Sequence, residues 1–310
     1  MASAPRRGTA AVTALTATVP ISWGTTYLVT SQYLPPGFPL VSGVIRALPA
    51  GLVLLAATRT LPHGPWRLRS AVLGVLNIGA PFALLFAAAY RLPGGVASTL
   101  FAVQPLLVAA LALLLLGERP TGRQLGWGLA GVAGVGLIVL RGRLAFDPAG
   151  VLAGLAAAGV MAGGIVLTKR WGRPAGVGAT AFAGWQLTAG GLALLPLALT
   201  AEGLPGGLDA RAAGGYVWLA VVGSLLPYPI WFHGIGRLPV VAVSFLPLLS
   251  PAVATLLGLL LLGESLTPWQ GAGFALALSA VVAAQLPPGA LRIRRRNPAR
   301  TPAATVPTGE

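Results

Sequence analysis

The sequence predicts an all-α integral membrane protein whose ten transmembrane helices form two inverted five-helix repeats. Three observations carry this expectation. The 310-residue chain is 55% hydrophobic and only 9% charged, with a mean hydropathy of +0.81, whereas soluble domains carry roughly 25% charge. One stretch occurs twice: residues 91–118 read RLPGGVASTLFAVQPLLVAALALLLLGE, and residues 237–264 read RLPVVAVSFLPLLSPAVATLLGLLLLGE, in register at an offset of 146. Lys and Arg gather in alternate segments between the apolar runs.

The duplicated stretch pairs Ser98 with Ser244, Pro105 with Pro251, and one LLLLGE end with the other. The same offset pairs Pro81 with Pro227, Phe82 with Tyr228, Phe86 with Phe232 and Gln124 with Gln270. No ionisable residue lies between Leu92 and Gly117. Such an uncharged length matches a bilayer core of roughly 30 Å crossed at about 1.5 Å per residue.

Ten apolar runs follow in order, each about one span long. The first, 11–29, holds Pro20, the Trp23-Gly24 pair and Tyr27. Arg6 and Arg7 precede it, as they would a signal peptide, but cleavage would leave nine spans and upset the charge balance described below. The second, 38–58, carries Arg46; the third, 71–89, carries Asn77 and Pro81; the fourth, 94–116, carries Gln104 and Pro105. The fifth, 124–140, has glycines at 126, 128, 131, 134 and 136, and completes a first repeat over 11–140. After a linker at 141–149, the second repeat covers 149–286. Its first run, 150–168, pairs Gly150 with Gly154 and Gly159 with Gly163; the next, 177–199, holds Trp185 and Gln186. The eighth run, 214–235, sets Ser224, Tyr228, Trp231 and Ile235 at helical spacing, and 239–262 and 268–286 close the set. The small-xxx-small faces suit close packing of helices or of protomers, so a homodimer is one arrangement they serve. Residues 287–310 mix Pro, Thr, Ala and Arg without apolar periodicity, which predicts a disordered cytoplasmic tail whose RIRRR cluster rests on anionic lipid.

Orientation follows from the positive charges. With both termini cytoplasmic, sixteen Lys and Arg residues fall in inner segments and only Arg91, Arg141, Arg143 and Arg211 in outer ones. An odd number of spans per repeat then inverts the second copy relative to the first, an arrangement from which many secondary transporters are built around a midplane site.

Arg46 is the strongly charged residue deep in a run, and on insertion scales it costs about 2.5–3.5 kcal/mol at a helix centre. It either attracts an anionic substrate group in a wet cavity or bonds helix-end carbonyls, and the structural role is the preferred reading. Trp23, Tyr27, Asn77, Gln104, Tyr228 and Trp231 are the candidate substrate-binding residues, Trp23 and Tyr228 gaining weight because prolines 20, 227 and 229 interrupt the neighbouring helix bonding. No Asp or Glu lies inside a run, which leaves His233 as the sole buried candidate for proton coupling, and a lone histidine near a helix end is more often structural.

Several classes are excluded. The chain has no cysteine, hence no disulfide framework or thiolate metal site. Its net charge of +15 lies between apolar runs and in the tail, without the compact basic domain that nucleic acid would need. An intramembrane enzyme needs a nucleophile with its base or paired acids, and the only histidines are His63 and His233. No GxxxxGK[ST] loop exists for ATP-driven pumping. Nothing in the sequence implies a metal or cofactor.

The duplication, the Trp23-Gly24 pair, Arg46, the proline-bearing fourth and ninth runs and the paired LLLLGE ends together resemble the EamA-type transporters of the drug/metabolite transporter superfamily, over residues 11–286. This resemblance implies a ten-helix plasma-membrane carrier, typically an exporter of amino acids, metabolites or drugs. It also implies a central cavity between the repeats, with the fifth and tenth helices peripheral. Many relatives carry a lysine near the end of the first helix. Ser31 and Gln32 stand there in this chain and Lys169 at the comparable end of the sixth, so no role transfers to the first position. The expected function is secondary transport of a small molecule by alternating access between the repeats. The alternative is a non-transporting membrane sensor or scaffold that kept the fold.

Overall fold

The computed structural model describes residues 7–92, 97, 100–140, 147–263 and 267–285, which form helices joined by short turns and loops, without a strand among them. Ser98, most of the linker at 141–149, Glu264 and the tail at 287–310 lie outside the described residues. The helices run α1 (Arg7–Tyr33), α2 (Pro39–Thr58), α3 (Trp66–Gly74), α4 (Ala80–Ala89), α5 (Gln104–Leu116), α6 (Gly122–Leu140), α7 (Pro148–Trp171), α8 (Ala179–Ala201), α9 (Ala210–Ala220), α10 (Pro227–Arg237), α11 (Val240–Phe245), α12 (Leu249–Leu261) and α13 (Pro268–Gln285). Short π segments join α3 to α4 and α9 to α10, while 3-10 turns precede α5 and α12.

Among the described residues six helical stretches are long and apolar enough to cross a membrane: Pro39–Thr58, Trp66–Ala89, Pro148–Trp171, Ala179–Ala201, Ala210–Arg237 and Val240–Leu261. Leu52, Leu114, Leu152 and Leu260 are among the large apolar side chains that face outward, as a lipid solvent allows.

Three of these stretches begin earlier than their apolar runs, and for the third and eighth runs, where the extension is longest, the reason is local. The third starts at Trp66, with Arg67 and Arg69 in its first turn. The Arg69 guanidinium lies 5.4 Å from the Trp66 ring and 5.5 Å from that of Trp171, so the charge stays at the interface while its stem covers indole. The eighth starts at Ala210, where the Asp209 side chain accepts from the Ala212 N–H and caps the helix. Arg211 there lies 5.0 Å over Tyr33.

Local features recur at the duplication offset of 146. The π segments are Val75–Gly79 and Val221–Leu225. Each is followed within two residues by a proline, Pro81 or Pro227, which has no N–H for the carbonyl four residues back. Gly117 and Gly263 end the LLLL runs at φ of +69° and +64°, a left-handed conformation glycine adopts without Cβ strain. Thr121 with Gln124 and Thr267 with Gln270 then form reciprocal caps: the threonine N–H donates to glutamine Oε1 at 2.8 and 3.0 Å, and the glutamine N–H to threonine Oγ1 at 3.3 Å in both.

Packing crosses between the halves of the chain. Helix α2 lies along α8, α4 along α7, α1 along α12 and α5 along α7. Several of these contacts leave no room for a side chain: a Cβ on Gly24 would stand 2.5 Å from Val253 Cβ and 2.8 Å from the Ser250 carbonyl. The small residue therefore sets how closely α1 meets α12. Helices α6 and α13 pack chiefly on each other, through Gly134 against the Gly273 carbonyl. Gly150 and Gly154 likewise pack within the chain, against Leu92 and Leu100.

Candidate functional site

The site is built around one freed carbonyl. Pro227 cannot donate to Gly223, four residues before it, and the π segment leaves that oxygen facing inward. Trp23 Nε1 donates to it at 3.1 Å from α1, and Arg46 Nη2 at 3.1 Å from α2. Arg46 Nε also donates to Ser224 Oγ at 3.4 Å. The absence of a side chain on Gly223 is what admits the guanidinium, because a Cβ there would stand 3.2 Å from Nε.

Arg46 is 2% exposed. The Phe82 ring lies 4.4 Å from its Cζ, and this π face lowers the cost of burying the charge. Nη1 is buried without a hydrogen-bond partner. The arrangement thus holds parts of both sequence readings: two nitrogens bond the interrupted helix, and the third points to no protein acceptor.

A cavity of about 40 Å³ opens beside the guanidinium, lined by Trp23, Thr26, Tyr27, Arg46, Phe82 and Tyr228 among others. Tyr27 and Tyr228 share the wall of this cavity with Arg46. Trp231 stands behind this wall, its ring 5.1 Å from Trp23, while Tyr228 lies 5.4 Å from Trp23. Residues from both halves contribute, since Phe101 belongs to the first and Met161, Pro247 and Ser250 to the second. The volume admits a water molecule or two, against roughly 300–1,000 Å³ for ordinary ligand pockets.

Of the six candidate substrate-binding residues, Trp23, Tyr27 and Tyr228 line this cavity with Arg46, and Trp231 supports it. Asn77 and Gln104 do not line it. Asn77, in the first π segment, donates to Thr168 Oγ1 at 2.9 Å and Gln186 Oε1 at 2.7 Å, tying α7 and α8 together. Gln104 is fully buried with neither amide atom bonded. Thr26, Phe82 and Ser250 were not among the candidates. Two carry a sequence signal: Phe82 falls on Tyr228 at the 146 offset, and Thr26 follows Trp23 by three residues, on the same helix face.

A second cavity, about 260 Å³, is bounded by Thr168, Lys169, Arg173, Phe182 and Phe232. Lys169 Nζ donates to the carbonyls of Ile235 and Leu238, at 3.1 and 2.8 Å, so it caps the end of α10. Elsewhere the Glu202 carboxylate, at the end of α8, accepts from the N–H groups of Leu40 and Val41 at 2.8 and 2.9 Å, and caps the start of α2. Among the described residues no cluster of three His, Asp or Glu side chains stands ready for a metal ion.

Comparison with known proteins places the chain among transporters. The model of the EamA-like transporter family matches residues 10–140 and again 148–284. Protein PecM of Dickeya dadantii (strain 3937) is 45% identical over 266 residues, covering 86% of this chain and 89% of that one. The Escherichia coli (strain K12) protein named "Uncharacterized inner membrane transporter YedA" is 30% identical, over 84% of this chain and 86% of its own. A Streptantibioticus cattleyicolor protein carrying the name "Probable terminal-alkyne amino-acid exporter" is 28% identical, over 76% of each chain. A solved crystal structure superposes with a TM-score of 0.70 at 21% identity, over 89% of this chain and 98% of that one, which speaks to the fold alone.

Proposed function

This chain belongs to the EamA-like transporter family and is a multi-span membrane transporter rather than an enzyme, and from that premise we propose that it exports a small molecule across the plasma membrane through the Arg46 cavity. The observation that carries the proposal is the composition of the cavity wall. Trp23, Tyr27, Arg46 and Phe82 come from one half and Met161, Tyr228 and Ser250 from the other, so relative motion of the halves would open the same chamber to either side.

In this reading the halves are inverted five-helix repeats with ten spans and both termini cytoplasmic. The odd span count, the alternation of positive charge, and the π segments, glycine ends and threonine-glutamine caps repeated at one offset support it. The basic tail rests on anionic lipid at the inner face. The name of the Streptantibioticus relative supports outward transport, and that of the E. coli relative supports the plasma membrane. A scaffold that no longer transports is not favoured, because the relatives are named as transporters.

The test is Tyr228→Cys in the active carrier. Water-soluble thiol reagents should label it from one membrane face at a time, with the accessible face changing as the carrier is driven between states. A thiol that no reagent reaches from either face would place the pathway elsewhere. Reporter fusions at both termini check the orientation, and an external C-terminus would remove the inverted arrangement.

A further inference from the structure

We infer that the Arg46 cavity takes a small acid, a carboxylate seated on the guanidinium with an apolar or aromatic body against the ring-lined wall; this rests on the reading of that cavity as the transport site. The first ground is an unpaired donor. Nη1 of a 2% exposed arginine has no partner, and Thr26 Oγ1, in the same wall, is also buried without one. Leaving a buried donor unpaired is costly, and more so when it is charged.

The second ground is the missing counter-ion. Among the described residues no carboxylate pairs with Arg46, whose side chain meets the Gly223 carbonyl, the Ser224 hydroxyl and the Phe82 ring. Phe82 faces the guanidinium on one side, and its ring cannot replace an anion. A cation entering the cavity would meet an uncompensated positive charge in a medium that screens poorly. A neutral apolar molecule would leave Nη1 unpaired. A carboxylate accepts from it through charge-assisted bonds, and the tyrosine hydroxyls and Thr26 are placed to add theirs.

The third ground lies along the path. Lys169 and Arg173 bound the second cavity, which has no acidic residue in its wall. Between that chamber and the central one stand aromatic rings: Phe232 lies 5.4 Å from Phe182 and 5.8 Å from Tyr228. Both chambers on either side of these rings thus carry a net positive side-chain charge, Arg46 in one and Lys169 with Arg173 in the other, where Glu118 near Lys169 offsets part of it, a field that concentrates anions and repels cations. At about 40 Å³ the central chamber is too small for the body of such a ligand, so occupancy requires the helices to part.

The test uses three probes of matched body and different charge, indole-3-acetate, indole-3-acetamide and tryptamine, with the purified full chain in detergent. Isothermal titration and thermal shift should show the acetate binding at least tenfold more tightly than the amide, with no tryptamine binding. In Arg46→Gln the preference for acetate over amide should fall below threefold, and in Arg46→Lys it should be intermediate, because a point charge lacks the planar fork. The charge series on the unaltered chain decides the matter even where Arg46→Gln does not fold. Equal or tighter binding of the amide or tryptamine, or no binding of any probe, overturns the acid assignment. Those results leave the transport site standing if Tyr228→Cys labels from alternate faces, and an unlabelled thiol would overturn that site separately.

Discussion

Trp23 and Arg46, on different helices of the first half, donate to the same oxygen, the carbonyl of Gly223 in the second half, each at 3.1 Å. Three elements are thereby held at one point, and Pro227 is what makes the oxygen available. Removing the arginine side of this junction gives the first prediction. Arg46→Gln should lower the melting temperature in detergent, with a loss of about 1–3 kcal/mol for the lost charged bonds to Gly223 and Ser224. Trp23→Phe, which removes the neutral donor, should cost less, and a melting series on both variants checks the order.

Gly24 sets the approach of α1 to α12. Since its Cβ would overlap Val253 and the Ser250 carbonyl, Gly24→Ala should destabilise by about 1–3 kcal/mol through overpacking. Gly24→Leu should prevent stable insertion. Fluorescence-detected size-exclusion profiles would show this as lost monodispersity.

Asn77, within the first π segment, joins α7 and α8. Asn77→Ala would leave Thr168 Oγ1 without this donor and Gln186 Oε1 without its own, a buried loss of about 2 kcal/mol. Because Asn77 does not line the Arg46 cavity, ligand affinity should change by less than threefold while the melting temperature falls. Titration beside melting on the same sample separates the two.

Glu202 anchors the start of α2 from the end of α8. Glu202→Ala should cost about 1 kcal/mol, since two first-turn N–H groups lose their acceptor. Glu202→Gln should recover part of this through its single amide oxygen. Hydrogen exchange at Leu40 and Val41 should rise in the order wild type, Gln, Ala.

Asp147 gives a pH dependence with a definite sign. The Gly150 N–H first, then Arg91 and the Ala149 N–H, hold its carboxyl below the usual range. A depressed folded value contributes stability that is full above the ordinary carboxylate value near ~4 and is lost as pH falls through the lower folded one. Protection of amides in the first turn of α7 should therefore be flat from neutral pH down to about 5, and should fall only below ~4. In Asp147→Asn that acid-side loss should be absent.

Much of the fold was legible because a bilayer leaves few choices: an uncharged run of membrane length must be a helix, as Pro148–Trp171 and Val240–Leu261 are. The site was legible in part. Prolines 227 and 229 pointed to open backbone near Tyr228, and the carbonyl of Gly223 is that backbone. Asn77 and Gln104 are polar within apolar runs just as Tyr27 is, and composition alone gives no direction in which a side chain points; only the packing separates a cavity wall from a buried amide network. Thr26 and Ser250 are not candidates from sequence, and Phe82 enters only through its pairing with Tyr228, because a hydroxyl or a ring in a membrane helix is ordinary until a guanidinium faces it. The π segments had no signature beyond the proline that follows each.

Those π segments set a phase. Val221–Leu225 holds one residue more than an α-helix would place between the same carbonyl and N–H, and one residue is about 100° of rotation and 1.5 Å of rise. Were the same residues wound as an α-helix, Tyr228, Trp231 and Phe232 would be swung about a quarter-turn around the helix axis, and Pro227 and Ile230 would take the places of Tyr228 and Trp231 before Trp23. The aromatic composition of the chamber thus depends on counting as much as on residue type: a one-residue deletion between Val221 and Leu225 would close the segment as an α-helix and keep the wall in phase, whereas winding all five residues as α-helix would turn its side chains away.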